Sequence, residues 1–269
     1  MTPLTPCEPN LVFRIPTTRS RALERNQILA VAPGASRSFG SHHAPHPARG
    51  GIVQILLPGL VLLRSDEPSG LAAANAYAVV EGERVLLVDA VHRSQLEQAR
   101  TLVDAGRQIV GMVITHRHVV AQGNVLRALH AKLRIPIYLH PLDARHRQAR
   151  AVEIPFDDPC AAGSLPGSFG MEPLLFPGHT AGHVMLYWRA HGGILFCGDC
   201  ARGVTEDAGG VLVARTPALF SEDDALLARS WASFRRPVAG LCPLYGRPVL
   251  AHADTLPAAL RALYAPMPA

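Results

Sequence analysis

From residue 52 onward the chain breaks into short apolar runs separated by polar or turn-forming residues, the rhythm of strands with helices between them. Ile52 to Leu57 and Val61 to Leu63 read as strands. Ala76 to Val80 and Val85 to Val88 flank Glu81-Gly82-Glu83-Arg84 and read as a hairpin. Ser94 to Ala105 fits a helix, followed by an apolar strand from Ile109 to Ile114 and a helical pattern around Val125, Leu126 and Leu129. Ile135 to Leu139 is a further strand. Ile154 to Met171 holds Pro155, Asp157, Asp158, Pro159, Gly163, Pro166 and Gly167, and this predicts loop. Leu174 to His179 and Val184 to Trp188 read as strand, loop, strand, with Ile194 to Cys197 after them. Ser221 to Phe234 fits a helix with Ser221 as N-cap and acidic residues in its first turn. Val238 to Cys242 and Val249 to Ala251 are short strands, and Thr255 to Tyr264 a last helix. No internal repeat is visible.

The first 50 residues differ from this pattern. They are rich in Pro, Ser, Arg and His and lack sustained periodicity, which predicts a loosely structured N-terminal extension over 1–50 and one α/β domain over 51–269. With 269 residues, 48% of them hydrophobic, the chain can bury a sizeable core in one large domain. The net charge of +5 is carried almost wholly by arginines spread along the chain, Lys132 being the only lysine. No dense basic tract with interleaved aromatics appears, so no nucleic-acid partner is expected. No apolar run approaches the roughly 18 residues of a membrane span, and no secretory pattern opens the chain. The expectation is a cytoplasmic protein with a small-molecule substrate. An odd count of five cysteines, with Cys7, Cys160 and Cys242 scattered beside Cys197 and Cys200, fits a reducing compartment and no disulfide framework.

Candidate chemistry lies at the ends of the apolar runs. Ile109 to Ile114 leads into Thr115-His116-Arg117-His118, and two histidines one residue apart at a strand end can project to the same side. Downstream come Pro177-Gly178-His179-Thr180-Ala181-Gly182-His183 and Leu195-Phe196-Cys197-Gly198-Asp199. Neutral imidazole is a ligand that suits zinc. Cys197 and Cys200 have Cys-x-x-Cys spacing, but no second pair accompanies them. They read as small buried residues near the pocket, with Cys200 a sharper candidate for contact with a metal.

Taken together, these three segments resemble the metallo-β-lactamase superfamily, whose histidine loop reads Thr-His-x-His-x-Asp-His. The resemblance implies a four-layer αβ/βα sandwich with metal loops along one edge of two packed sheets. It implies a first metal on His116, His118 and His179, with Asp199 at the bridging carboxylate. Val120 and Ala121 stand where the family has its second-site Asp and His. Pro243-Leu244-Tyr245-Gly246 matches the last histidine turn with Tyr245 in the histidine's place. The implied centre therefore has one intact and one degraded site.

The expected activity is a mononuclear zinc hydrolase of a small ester, thioester or lactone. Asp199 would be fourth ligand or proton acceptor, and Tyr245 a donor to a substrate oxygen. Asp89 would support the histidine loop by hydrogen bonding. His116, His179 and Asp199 also form the two-His, one-carboxylate set of iron enzymes, as in persulfide dioxygenases. A binding or scaffold protein without catalysis is the remaining alternative. His183 reads as a packing or hydrogen-bonding residue, and His42, His43 and His46 as solvated. His252 stands near the Tyr245 turn but off the motif.

Overall fold

The computed structural model describes residues 12–15, 28–29, 53–65, 73–122, 125–204, 211–250 and 256–265. In chain order the strands are β1 (Val12–Ile15), β2 (Ile28–Leu29), β3 (Val53–Leu57), β4 (Leu60–Arg64), β5 (Asn75–Glu81), β6 (Arg84–Val88), β7 (Gln108–Val113) and β8 (Ile137–Tyr138). They continue as β9 (Met171–Leu175), β10 (Val184–Trp188), β11 (Ile194–Gly198), β12 (Arg202–Val204), β13 (Val211–Ala214), β14 (Gly240–Pro243) and β15 (Val249–Leu250). The helices are α1 (Arg93–Asp104), α2 (Arg117–Gln122), α3 (Leu126–Leu133), α4 (Pro141–Ala144), α5 (Arg147–Arg150), α6 (Leu165–Ser168), α7 (Asp224–Ser233) and α8 (Leu256–Leu263).

Strands β2 to β8 form one sheet in sequence order, and β15-β14-β11-β10-β9 form a second. Alternation along each strand sorts side chains into two faces. Tyr77, Val79, Leu86 and Val88 of the first sheet meet Val184, Leu186, Trp188, Ile194 and Phe196 of the second in one core between the sheets. The intervening residues Ala76, Ala78, Val85 and Leu87 face outward and are covered by Ala99 and Leu102 of α1 and Leu126 and Leu129 of α3. On the far side Met185, Tyr187, Leu195 and Cys197 pack under Leu227 and Trp231 of α7 and Leu256, Leu260 and Leu263 of α8. The order of layers is helix, sheet, sheet, helix. Each fully buried large apolar side chain here contributes roughly 1.5–3 kcal/mol.

A smaller sheet, β1-β13-β12, adds to this frame. The segment before residue 50, expected to be loosely structured, thus supplies β1, paired with β13, and β2, paired with β3. Among the described residues no helix is long and apolar enough to cross a membrane. His42, His43, His46, His252 and Cys7 lie outside the described residues.

Three local expectations are corrected. The strand expected from Leu174 to His179 runs instead over Met171–Leu175. Its Pro173 is accommodated because β9 is a sheet edge, where a missing N–H costs no ladder bond. The predicted loop 154–171 contains α6, and Asp157 forms a parallel bridge with Tyr138. Helix α7 begins at Asp224 with Asp223 as N-cap, its Oδ1 accepting from Leu226 N at 2.8 Å, rather than at Ser221. Residues 222 and 223 are drawn out of the helix because their backbone N–H groups donate to His179 O at 3.1 Å and Gly178 O at 2.9 Å. Strands β6, β7 and β8 are parallel, as are β11 and β14. Their C-terminal ends deliver Asp89, His116, Asp199 and Tyr245, the rim where α/β proteins bind ligands.

Candidate metal centre

Strand β7 ends at Val113, and the chain turns at Thr115 into α2, which starts at Arg117. This turn presents His116 and His118. The turn after β9 brings in His179, and the turn after β11 brings in Asp199. Donor atoms of His116, His118 and His179 all lie within 4.8 Å of one another. His118 Nδ1 is 3.1 Å from His179 Nε2. Asp199 Oδ2 is 3.7 Å from His116 Nε2 and 3.6 Å from His179 Nε2. Zinc–nitrogen bonds of about 2.0–2.1 Å at tetrahedral angles place ligands about 3.3 Å apart, so this spacing fits one ion.

Hydrogen bonding decides which nitrogen of His116 faces the cluster. Asp89 accepts from Thr115 N at Oδ1 (2.8 Å) and from Thr115 Oγ1 at Oδ2 (2.9 Å). With its proton committed to Asp89, the Thr115 hydroxyl accepts from His116 Nδ1 at 3.1 Å. The lone pair of His116 is thereby held at Nε2, and that buried atom has no hydrogen-bond partner. Asp199 Oδ1 is likewise buried and unpartnered. Such atoms are rare in native interiors unless an ion satisfies them. Asp89 thus occupies the supporting position expected of it.

Electrostatics keep the imidazoles neutral. Burial, then the neighbouring His179, His183 and His118, holds His116 well below the usual histidine range. Burial, then His183 and His118, pushes His179 down to about 2. Burial, then Arg117, lowers His118. Neutral imidazole is the form that ligates metal. Asp199 is pushed up to about 7 by burial and then by Asp89, with Arg202 opposing.

His183 stacks on His116, centroids 4.9 Å apart and planes at 21°. Its Nε2 accepts from Asp199 N at 3.3 Å, and its Nδ1 lies 3.3 Å from Cys200 Sγ. It holds the Asp199 turn and stands outside the three-histidine group. Cys200 is committed to His183 and to the Phe176 carbonyl, so the sharper expectation for Cys200 is not met. Gly198 has φ +51°, and a Cβ there would come within 2.6 Å of His183 Nε2 and Thr115 Oγ1. Only glycine lets β11 turn this close to the histidines.

Outside the ligand group, Arg117, Asp143 and Glu222 form a clamp that the sequence reading missed. Buried Asp143 accepts from Arg117 N (2.8 Å), Arg117 Nη1 (3.1 Å), Thr180 Oγ1 (2.7 Å) and Gly182 N (2.9 Å). Glu222 pairs with Arg117 and accepts from Ala181 N at 2.9 Å. The two histidine loops are thereby tied to each other through α4. Arg117 lies between two motif histidines, the single local signal that could have revealed it.

Comparison with known proteins agrees with this architecture. A metallo-β-lactamase from Erythrobacter litoralis, solved with β-mercaptoethanol in its active site, superposes with a TM-score of 0.58 at 19% identity, covering 80% of this chain and 96% of that one. A β-lactamase domain protein from Burkholderia ambifaria gives 0.54 at 17% identity over 81% of this chain and 76% of that one. The chain has the metallo-β-lactamase fold. No family model matches the sequence. The hydroxyacylglutathione hydrolase of Halorhodospira halophila is 30% identical over 145 residues, 51% of this chain and 49% of that protein. The chain thus spans about half the length of that curated relative.

Within the metallo-β-lactamase fold, a cavity of about 500 Å³ opens over the cluster. His118, His179, Asp199 and Tyr245 line it together with Ala121, Gln148, Arg202, Thr216, Pro217 and Phe220. The structure therefore brings all five site residues named from sequence to one place. Val120 packs into the core at 1% exposure, whereas Ala121 faces the cavity. Gln148, Arg202 and Phe220 carry no motif and were not foreseen.

Proposed function

We propose that this chain is a hydrolase using one zinc ion, held by His116, His118 and His179 with Asp199 as fourth ligand or proton acceptor, to cleave a small ester, thioester or lactone. The supporting observation is the convergence of neutral, buried donors around an unpartnered His116 Nε2. A zinc ion at three imidazoles supplies a nucleophile from water near neutral pH and polarises a carbonyl oxygen. The chain's own groups do the rest. Asp89 and Thr115 keep the His116 proton on Nδ1, away from the cluster. Where it is not itself a ligand, Asp199, with Oδ2 3.7 Å from His116 Nε2 and 3.6 Å from His179 Nε2, is placed to accept and return a proton. Tyr245 on the cavity wall donates its hydroxyl to a substrate oxygen, and Pro217 and Phe220 shelter an apolar portion. The name hydroxyacylglutathione hydrolase denotes cleavage of a thioester, and this favours thioesters among the three substrate classes. Free thiols at Cys160, Cys197, Cys200 and Cys242 accord with a cytoplasmic setting.

A second reading, iron with oxygen chemistry, is favoured by Asp199 Oδ2 lying at similar distances from His116 and His179. The 3.1 Å approach of His118 Nδ1 to His179 favours the three-histidine zinc set over it. Elemental analysis of protein purified without a metal-binding tag, beside His179→Ala, tests both. Zinc present in the natural chain and lost from the variant, with thioesterase activity, supports the hydrolase. Iron with oxygen consumption replaces it. A chain that takes up neither metal is a binding protein.

A further inference from the structure

A second convergence of donors lies apart from the three-histidine group. His140 stands two residues after β8, and Asp158 and Cys160 follow Asp157, the residue bridged to that strand. One ligand atom from each of the three lies within 4.8 Å of the others. The two segments are held in register by Leu139 N donating to Asp157 O at 3.0 Å and Asp157 N donating to Ile137 O at 2.9 Å. Asp158 Oδ1 accepts from Cys160 N at 2.9 Å, an Asx turn that brings carboxylate and thiol together. Buried Pro159 between them fixes a backbone φ, and its carbonyl accepts from Ser164 Oγ at 2.7 Å. Asp158 and Cys160 are therefore spaced by the backbone, not by side-chain freedom.

His140 is half-buried and caps α4, its Nδ1 3.3 Å from Leu142 N. That contact is long for a hydrogen bond from a backbone N–H, so diverting the ring costs little. Cys160 is exposed and free.

We propose that His140, Asp158 and Cys160 form a second and independent zinc site, with one imidazole nitrogen, one carboxylate oxygen and one thiolate sulfur as ligands and the fourth position open to solvent. Nitrogen, oxygen and sulfur donors in one group suit zinc, whereas an oxygen-only set would suit magnesium or calcium. Binding releases the Cys160 thiol proton to solvent as the zinc–sulfur bond forms. The ion has a structural consequence. It pins residues 158–160 to the residue that caps α4, the helix whose Asp143 ties both histidine loops together. This site braces the other one without entering its chemistry.

Cobalt(II) alone, titrated into the metal-stripped full chain, gives the test. Thiolate bound to cobalt produces a near-ultraviolet charge-transfer band, which the proposed His116, His118, His179 and Asp199 set has no sulfur to produce. The natural chain and His179→Ala should both show the band. Cys160→Ser, at an exposed position that does not endanger folding, should lose it and bind about one equivalent less cobalt. His140→Ala should weaken the band-forming step about tenfold or more. A band that persists in Cys160→Ser, a band that vanishes in His179→Ala, or cobalt uptake by the natural chain without any band would each overturn the proposal.

Discussion

Replacing Thr115 with valine removes one hydroxyl from the centre of the candidate site while keeping the side-chain volume. In the natural chain that hydroxyl donates to Asp89 Oδ2 at 2.9 Å and accepts from His116 Nδ1 at 3.1 Å, and all three residues are buried. Asp89 keeps the bond from Thr115 N at 2.8 Å, so its loss is partial. His116 Nδ1 loses the partner it has among the described residues. Leaving a buried polar group unpaired costs about 1–3 kcal/mol, and with the smaller contribution at Asp89 the metal-free variant should be about 2–3 kcal/mol less stable. Binding should suffer separately. With no acceptor at Nδ1 the ring is free to carry its proton on Nε2, which withdraws the lone pair from the cluster. Loss of such a supporting bond costs 10–100-fold in metal affinity, about 1.4–2.7 kcal/mol. Zinc affinity measured by competition with a chromophoric chelator, and urea unfolding of the stripped protein, read the two effects. Thr115→Ser should restore affinity. A Thr115→Val protein that binds zinc within about twofold of the natural chain would refute the assignment of the His116 tautomer to this hydroxyl.

Asp143→Ala leaves the Arg117 guanidinium buried without the carboxylate that neutralises it, and should cost about 3–5 kcal/mol in urea unfolding; a loss below about 1 kcal/mol would show that Glu222 alone suffices. Gly198→Ala forces a left-handed residue and a 2.6 Å approach to His183 and Thr115, and should lower stability by at least about 1–2 kcal/mol together with zinc affinity, whereas unchanged affinity would mean the turn relaxes freely. Burial, then His118, holds His183 down at about 3 in the folded state, so folding favours its neutral form. That contribution is complete above about 6.5 and is lost as pH falls toward 3. The stability difference between the metal-free natural chain and His183→Gln should therefore shift against the natural chain by about 1.4 kcal/mol per pH unit below 6.5, and a difference that does not vary with pH would contradict it.

What could be read from sequence was what is encoded locally. The hairpin of β5 and β6 showed because its alternation puts Tyr77 and Val79 on one face and Ala76 and Ala78 on the other. His116, His118, His179 and Asp199 showed because each stands in a short recognisable turn at a strand end. Asp143 and Glu222 did not, since their partner Arg117 is 26 and 105 residues away and nothing near them in sequence announces it. The start of α7 was misplaced for the same reason. Ser221 is a good cap by its own chemistry, but the His179 loop claims the backbone N–H groups of residues 222 and 223. The strand placed at Leu174 to His179 begins earlier, at Met171, and Pro173 is acceptable inside it because β9 stands at a sheet edge.

The clamp on Arg117 also bears on when the site comes into being. Its four segments come from both halves of the chain, with sequence separations of 61 from His118 to His179 and 105 from Arg117 to Glu222. Closing loops of that length is entropically costly until the two sheets dock and their core rewards it. A nascent chain that has formed only β2 to β8 carries two histidines on a turn held by Asp89, without the second-half clamp and without a third ligand. Ion capture must then follow folding, so metal supply should set the loading of the finished protein without changing the rate at which it folds.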